Sequence, residues 1–239
     1  MIYITGDIHG GYDIDSILRR QFNKDDILII CGDFGYIFQV DKFAQVAESF
    51  DRQYFLDCVG CTVLWVDGNH ENFERINAYP VSELYGGKVH KIADNCYHLI
   101  RGERYSINGY EFLAIGGAES HDMDRRKEGY NWWKEESITD EEISKAIANC
   151  DGIDFVISHT APTDFHYKLF VNNYLPINTF NASHSCTQLE KLRRALEEKG
   201  KPYKWFLGHY HYDLDWKPYF VLYNKFYCVE KGYWDVCSL

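Results

Sequence analysis

Five short apolar runs punctuate the chain, and each leads to a side chain able to bind a proton or a cation. Ile2-Tyr3-Ile4 runs into Gly6-Asp7-Ile8-His9-Gly10, and Ile27-Leu28-Ile29-Ile30 into Gly32-Asp33. Thr62-Val63-Leu64-Trp65-Val66 runs into Asp67-Gly68-Asn69-His70-Glu71, Phe155-Val156-Ile157 into Ser158-His159, and Trp205-Phe206-Leu207 into Gly208-His209-Tyr210-His211. Continuous apolar runs of this length fit strands buried on both faces of a parallel sheet. Asp, Asn and His at the ends of such strands stand at the rim where open α/β sheets collect their ligands.

Between the runs the period becomes helical. Asp13 is placed to cap a short helix with Ile14, Ile17 and Leu18 on one face. Asp41 begins a longer helix in which Phe43, Val46, Ala47, Phe50 and Tyr54 recur at helical spacing and are expected to face the core. Residues 2–66 therefore read βαβαβ, the doubly wound half-domain pattern.

Beyond about residue 80 the strands shorten to 96–100, 104–107 and 110–115, with Asn108-Gly109 as a type I′ hairpin turn between the last two. Residues 116–136 carry Trp132-Trp133 but no period, and connections of that length are usually functional. Thr139-x-x-Glu142 opens a helix with Ile143, Ala146 and Ile147 inward, closed at Gly152. An irregular stretch over 160–182 follows. Ser185-x-x-Gln188 opens a helix with Leu189, Leu192 and Leu196 on one side, stopped by Gly200 and Pro202. Residues 220–223 and 226–229 are expected to form a terminal hairpin around Asn224-Lys225. The pattern predicts one α/β domain over 1–239, with two sheets of mixed direction packed face to face and helices outside.

A chain of 239 residues that is 46% hydrophobic can bury a large core, and it carries neither a membrane-length apolar run nor a secretory pattern. Its net charge of −11 argues against holding extended nucleic acid through phosphate contacts. Of the eight cysteines, Cys31, Cys150 and Cys228 sit in or beside apolar runs as small buried hydrophobes, and a cytoplasmic thiol chemistry is expected. Cys58-x-x-Cys61 lacks the second pair a zinc ribbon needs, so both are expected to face the core.

The candidate metal ligands are Asp7, His9, Asp33, Asn69, His159, His209 and His211. Carboxylate, amide and imidazole donors without thiolate suit manganese, iron, zinc or cobalt and are poor for calcium. Seven donors exceed one tetrahedral ion but fit two divalent ions sharing a bridging carboxylate, the arrangement that clamps an in-line phosphoryl displacement. A hydroxide bridging the ions is then the expected nucleophile.

These blocks resemble those of the calcineurin-like metallophosphoesterases. Gly-Asp-Ile-His-Gly at 6–10, Gly-Asp at 32–33, Gly-Asn-His-Glu at 68–71, His159 and Gly-His-Tyr-His at 208–211 stand in the family's order across nearly the whole chain. The resemblance implies a four-layer αββα sandwich. It further implies one metal held by Asp7, His9, Asp33 and His211, a second held by Asp33, Asn69, His159 and His209, and a catalytic role for His70 at the leaving group or the phosphate. Two departures stand out. The family's second block commonly continues to a further Asp that orients the catalytic His, and Tyr36 occupies that place. The protein Ser/Thr phosphatases add an Arg after the second-block Asp, whereas here Phe34-Gly35-Tyr36-Ile37-Phe38 follow, which argues against protein-phosphatase activity.

The loop over 116–136 adds His121, Asp122, Arg125 and Arg126, and some bacterial metallophosphoesterases carry a similar Gly-Gly-Ala…Asp…Arg…Trp segment there. Arg125 or Arg126 could hold a phosphate bidentately, or the segment is a solvated charged loop. His90, His98, His166 and His184 match no block and read as core or surface histidines. The leading function is a metal-dependent phosphoesterase acting on a small or medium phosphorylated molecule, with no membrane partner. A phosphodiesterase or nuclease of the same fold and a catalytically silent binding scaffold are the alternatives. The complete ligand set argues against the scaffold.

Overall fold

In chain order the strands are β1 (Ile2–Thr5), β2 (Ile27–Ile30), β3 (Thr62–Trp65), β4 (Val81–Leu84), β5 (Gly87–Ala93), β6 (Cys96–Leu99), β7 (Arg104–Ile107), β8 (Tyr110–Ile115), β9 (Phe155–Ser158), β10 (Lys204–Leu207), β11 (Leu214–Trp216), β12 (Tyr219–Val221), β13 (Phe226–Cys228) and β14 (Tyr233–Asp235). The helices are α1 (Asp15–Leu18), α2 (Lys42–Val59), α3 (Phe73–Asn77), α4 (Asp140–Ala148), α5 (Thr163–Val171) and α6 (His184–Lys199). The structure, a computed structural model, describes residues 1–11, 14–179 and 181–235, so the expected cap Asp13 lies outside the described residues.

The strands form an eight-stranded sheet in the order β14-β13-β1-β2-β3-β6-β5-β4 and a six-stranded sheet in the order β11-β12-β10-β9-β8-β7. Successive side chains of a strand point to opposite faces, and that period divides the core. Ile4, Ile29 and Leu64 of the first sheet meet Ala114, Ile157 and Phe206 of the second in a central layer. Tyr3, Leu28 and Val63 point the other way, under Ile17 of α1, Phe55 of α2 and Ile76 of α3. Val156 and Trp205 lie under Ile143 of α4, Phe165 of α5 and Leu189 of α6. The fold is thus the four-layer αββα sandwich. β1, β2 and β3 are parallel neighbours, as are β8, β9 and β10, so the strand ends carrying Asp7, Asp33, Asn69, His159 and His209 gather along one edge of the sandwich.

Several local expectations are corrected. Asp41 does cap α2, accepting from the Phe43 and Ala44 amides, yet the helix is turned about half a revolution from the expected orientation. Glu48, Phe55, Leu56 and Val59 are its buried residues. Phe43, Val46, Phe50 and Tyr54 are 87%, 55%, 71% and 65% exposed. The helix is apolar at helical spacing on two faces, and the shorter set wins because it meets the sheet.

The expected terminal hairpin does not form, because its two halves enter different sheets. β12 runs parallel to β10 while β13 pairs antiparallel with β1. In place of a hairpin ladder, the Asp213 carboxylate accepts from the amides of Tyr223, Asn224 and Lys225 where the chain crosses between sheets. Helix α6 starts two residues earlier than its expected box: Ser183 is the cap, accepting from the Cys186 amide, while Ser185 is buried and donates to Glu119. Helix α4 ends at Ala148, before Gly152, and α5 occupies part of the stretch expected to be irregular. Cys61 is buried as expected, but Cys58 is exposed.

The orientation of α2 gives a direct test. At submicromolar protein, Phe55→Ala should cost about 3–5 kcal/mol, as truncation of a buried Phe does, whereas Phe43→Ala should stay within about 0.5 kcal/mol of wild type. Urea denaturation monitored by circular dichroism measures both, and equal losses would mean that the helix buries its other face.

Candidate metal centre

Two buried carboxylates anchor the rim. Asp7, just after β1, and Asp33, after β2, are 1% and 2% exposed. Backbone amides hold their orientation: the His209 N–H donates to both Asp7 oxygens at 2.9 and 3.1 Å, and the His70 N–H donates to Asp33 Oδ1 at 2.9 Å. Such approach requires glycine at two places. A Cβ on Gly208 would lie 2.0 Å from Asp7 Oδ1, and one on Gly68 would lie 2.2 Å from Asp33 Oδ1. The turns are also strained, with His9, Asp33, His209 and His211 at φ of 45°, 47°, 66° and 53°. Side chains other than glycine pay for such left-handed backbone, and the strain persists where surrounding structure over-determines it, typically at functional sites.

Around Asp7 the Nε2 atoms of His9 and His211 approach to 3.1 Å of one another. They stand 3.7 and 3.1 Å respectively from Asp7 Oδ2. Because Asp33 Oδ1 is taken by the His70 amide, Oδ2 is free to face two ways. It lies 3.8 Å from His9 Nε2 and 3.4 Å from His159 Nε2. His159 Nε2 is in turn 3.3 Å from Asn69 Oδ1. The His159 Nδ1–H donates to the Cys31 carbonyl at 2.8 Å, which orients the ring and directs Nε2 to the centre. Donor spacings of 3.1–3.8 Å are the edges expected of a polyhedron with metal bonds of about 2.0–2.2 Å. The donor set thus fits divalent ions. His209 stands beside them, its ring edge-on to that of His159 with centroids 4.9 Å apart, but it is in none of the donor clusters formed by the described residues.

The electrostatics follow from burial. Burial opposes ionisation of Asp33, but His159, His70 and His9 around it hold its carboxyl well below the usual range. Burial also opposes protonation of His159, yet Asp33 and Asp7 overcome it and push its pKa up to about 10. Two buried anions thus call for positive charge at this point. His209, half-buried beside His159, has its pKa lowered by desolvation and by that neighbour.

His70 stands next to this cluster with its ring 5.1 Å from that of His9 and 6.0 Å from that of Phe38. Burial lowers its pKa, Asp33 opposes the shift, and His9 and Arg126 add to it. Tyr36, at the place where the sequence resemblance leads one to expect an orienting Asp, packs against Phe34 and Phe55 with centroids 5.2 and 5.3 Å away, and no contact with His70 is found among the described residues. Glu71 points away from the cleft, accepting from the Gly68 amide at 2.6 Å and the Gly35 amide at 3.3 Å.

The loop over 116–136 packs on the rim. Its Arg125 is exposed. Arg126 is inward enough to act electrostatically on His70 and donates to Asp122 Oδ1 at 2.6 Å. Ser120, which carried no sequence signal, accepts at 3.4 Å from the Asn69 amide nitrogen, and so turns the amide oxygen toward His159. The Ser120 N–H donates to buried Glu136 at 2.8 Å. Arg101 ties the end of the loop to the third block: it ion-pairs with Asp67 and donates to the carbonyls of Glu135 and Ser137, while at the loop's start the Gly117 N–H donates to the Asp67 carbonyl at 2.9 Å. His98 completes that network at 3.0 Å from Asp67, stacked on His90.

Residues 1–213 match the family described as calcineurin-like phosphoesterase, and the chain belongs to that family. A search of curated proteins gave no match. Family membership implies metal-dependent phosphoester hydrolysis with two metal ions, and among the described residues the clusters Asp7-His9-His211, His9-Asp33-His70 and Asp7-Asp33-His159 bring together donors that could hold them. No described helix is long and apolar enough to cross a membrane.

The contact from Ser120 generates one prediction. Wild type should take up two divalent ions per chain, and Ser120→Ala, by freeing the Asn69 amide to rotate, should weaken one of them by about 10–100-fold. Chelator-competition titration of the stripped protein reads this directly; two unchanged affinities would remove Ser120 from the metal site.

Glu136 generates another. Burial pushes its pKa up to about 7, against the hydrogen bonds it accepts from Ser120 and Trp133. An acid raised in the fold is tolerated below its unfolded value and destabilises as pH rises through the folded one. Glu136→Gln should therefore raise stability by roughly 1–3 kcal/mol at pH 8 and change it little at pH 4. Denaturant midpoints at the two pH values decide this, and an equal effect at both would show that the carboxyl does not titrate differently in the fold.

Proposed function

We propose that the chain is a phosphoesterase acting on a small or medium-sized phosphorylated molecule with two divalent ions, manganese, iron or zinc. One ion is assigned to Asp7, His9, Asp33 and His211, and the other to Asp33, Asn69, His159 and His209. The observation that carries this reading is Asp33 Oδ2, one oxygen facing both His9 and His159 while its partner oxygen is occupied by the His70 amide. A bridging carboxylate has that arrangement. When bound, the ions supply Lewis acidity to the phosphoryl oxygens and acidify water.

The chain's own residues then position the ester. A cleft of about 470 Å³ opens beside His9, walled by Gly10, Gly35, Tyr36, Ala47 and Asp51. It is large enough for the organic part of a small substrate, and among the described residues its lining has neither Lys nor Arg, which supports the phosphate being the only strongly anionic group recognised. Arg126 is assigned to the phosphate rather than Arg125, because it lies nearer His70 and carries the cation inward. The seven described cysteines are free thiols, which supports action in a reducing compartment such as the cytoplasm.

His70 is assigned to the leaving group. Its pKa is lowered by burial, and Asp33 is the acidic group that opposes the shift. The negative charge of a bound phosphoryl group would favour its protonated form, so the proton is retained where it is needed. Transfer to the departing oxygen matters most when that oxygen belongs to an alkyl alcohol, and positioned proton transfer is typically worth about 10²–10⁴-fold.

A panel of alkyl and aryl phosphomonoesters, diesters and nucleotides, assayed with each metal in turn, tests the function. The wild type is expected to hydrolyse a monoester best. His70→Ala should lose about 10²–10⁴-fold on alkyl esters and retain much of its activity on 4-nitrophenyl esters, whose leaving group departs without a proton. Equal losses with metal content unchanged would mean that His70 stabilises phosphoryl charge instead. No hydrolysis of any member, activated aryl esters included, would sink the catalytic reading.

A further inference from the structure

Helix α2 carries an uncovered apolar stripe along its outer face. Phe43, Val46, Phe50 and Tyr54 are each more than half exposed, at spacings of three and four residues, while the helix buries Glu48, Phe55, Leu56 and Val59 on its opposite side. A helix with one face in the core ordinarily presents charged and polar residues outward. Four large apolar side chains in a continuous row exceed the scatter of single exposed hydrophobes that needs no explanation. We infer that the stripe is covered by a second copy of this chain, the two α2 helices packing antiparallel across a two-fold axis near residues 48 and 49.

Three observations favour a second copy over an unrelated occupant. The stripe is self-complementary: an antiparallel pairing sets Phe43 against the partner's Tyr54 and Ala47 against the partner's Phe50, so each large ring meets apolar surface. That is the isologous contact a two-fold requires. The charges agree in direction. Exposed Lys42 stands at the start of the helix and exposed Asp57 near its end, and only the antiparallel arrangement brings Lys42 beside the partner's Asp57. A parallel pairing would oppose like charges, and antiparallel packing also opposes the two helix dipoles favourably.

The third observation is area. Phe and Tyr side chains bury about 150–250 Å² each when covered, so exposures of 87%, 71% and 65% for the three rings, with Val46, leave on the order of 400–500 Å² of apolar surface per copy. Two copies with their polar rims reach about 1,200 Å², the lower end of specific interfaces and above most adventitious contacts. A two-helix contact of this size makes a dimer that dissociates on dilution. Ala47 and Asp51 belong both to the outer surface of α2 and to the wall of the cleft beside His9, so the partner helix would stand at the lip of that cleft.

Sedimentation velocity between about 1 and 100 µM protein, on the metal-loaded full chain, tests the inference. Wild type should pass from the 28.1 kDa monomer to the dimer across this range. Phe50→Glu should raise the dissociation constant at least tenfold, as loss of a central aromatic anchor does, and because Phe50 is exposed in the monomer the variant should melt like wild type when dilute. Lys42→Glu should weaken the dimer, and the double exchange Lys42→Glu with Asp57→Lys should restore it. A wild type that remains monomeric at 100 µM overturns the proposal, as does a Phe50→Glu chain that dimerises unchanged. Failure of the double exchange to restore association overturns the antiparallel pairing.

Discussion

Two carboxylates buried where the strands of both sheets end are the constraint to which the rest of the structure answers. Asp7 and Asp33 are almost inaccessible, and a buried charge is tolerated only when it is paired, hydrogen-bonded or bound to a cation. Backbone amides from the turns after β3 and β10 reach them, which demands glycine at 68 and 208. Histidines complete the enclosure, several on left-handed backbone. None of these features stabilises the fold by itself; together they make sense around positive charge. The sandwich supplies what the site needs: parallel strands bring five turns to one edge, and a central apolar layer between the sheets fixes their spacing.

What the sequence made legible was whatever each strand end carried locally. Continuous apolar runs followed by Gly-Asp, Gly-Asn-His or Gly-His are visible without a fold, and the five strands and two sheets follow from them. Capping by Asp41 and Thr139 was equally readable, because a cap and its partner lie within three residues. The orientation of α2 was not readable. Its two apolar faces have nearly equal periodicity, and which one meets the sheet depends on the path of the preceding chain through Phe34, Tyr36 and Ile37, which fill the same layer. The terminal strands failed for a similar reason: alternation and a turn dipeptide describe a hairpin, but Asp213 captures the turn amides and divides the strands between sheets.

The contacts that support the candidate site were the least legible part. Ser120, Arg101 and Glu136 lie in different segments, 51, 34 and 16 residues from their partners Asn69, Asp67 and Ser120. No local pattern marks them. Yet they explain why residues 116–136 form a defined rim despite lacking periodicity. Arg101 holds the chain leaving the loop, the Asp67 carbonyl holds Gly117 where the chain enters it, and Ser120 fixes the amide whose oxygen faces the centre. The loop is better understood as an orienting wall for the third block than as a surface connection.

Tyr36 contributes nothing to the balance of charge around His70. Tyr36 is drawn into the aromatic layer under α2, and burial raises the pKa of its phenol, so it supplies no negative charge to the site. Glu71, the adjacent carboxyl, is fully buried and committed to the amides of Gly35 and Gly68, with its pKa pushed up by burial and by Asp33. Asp33 itself faces the clustered imidazoles. The imidazole therefore keeps its position through the His70 backbone bond to Asp33 and through Phe38, not through a dedicated carboxylate. Burial, with His9 and Arg126, lowers the pKa of that imidazole, and Asp33 is the group that opposes them. Any anion brought beside it would act in the same direction as Asp33 and favour the charged form.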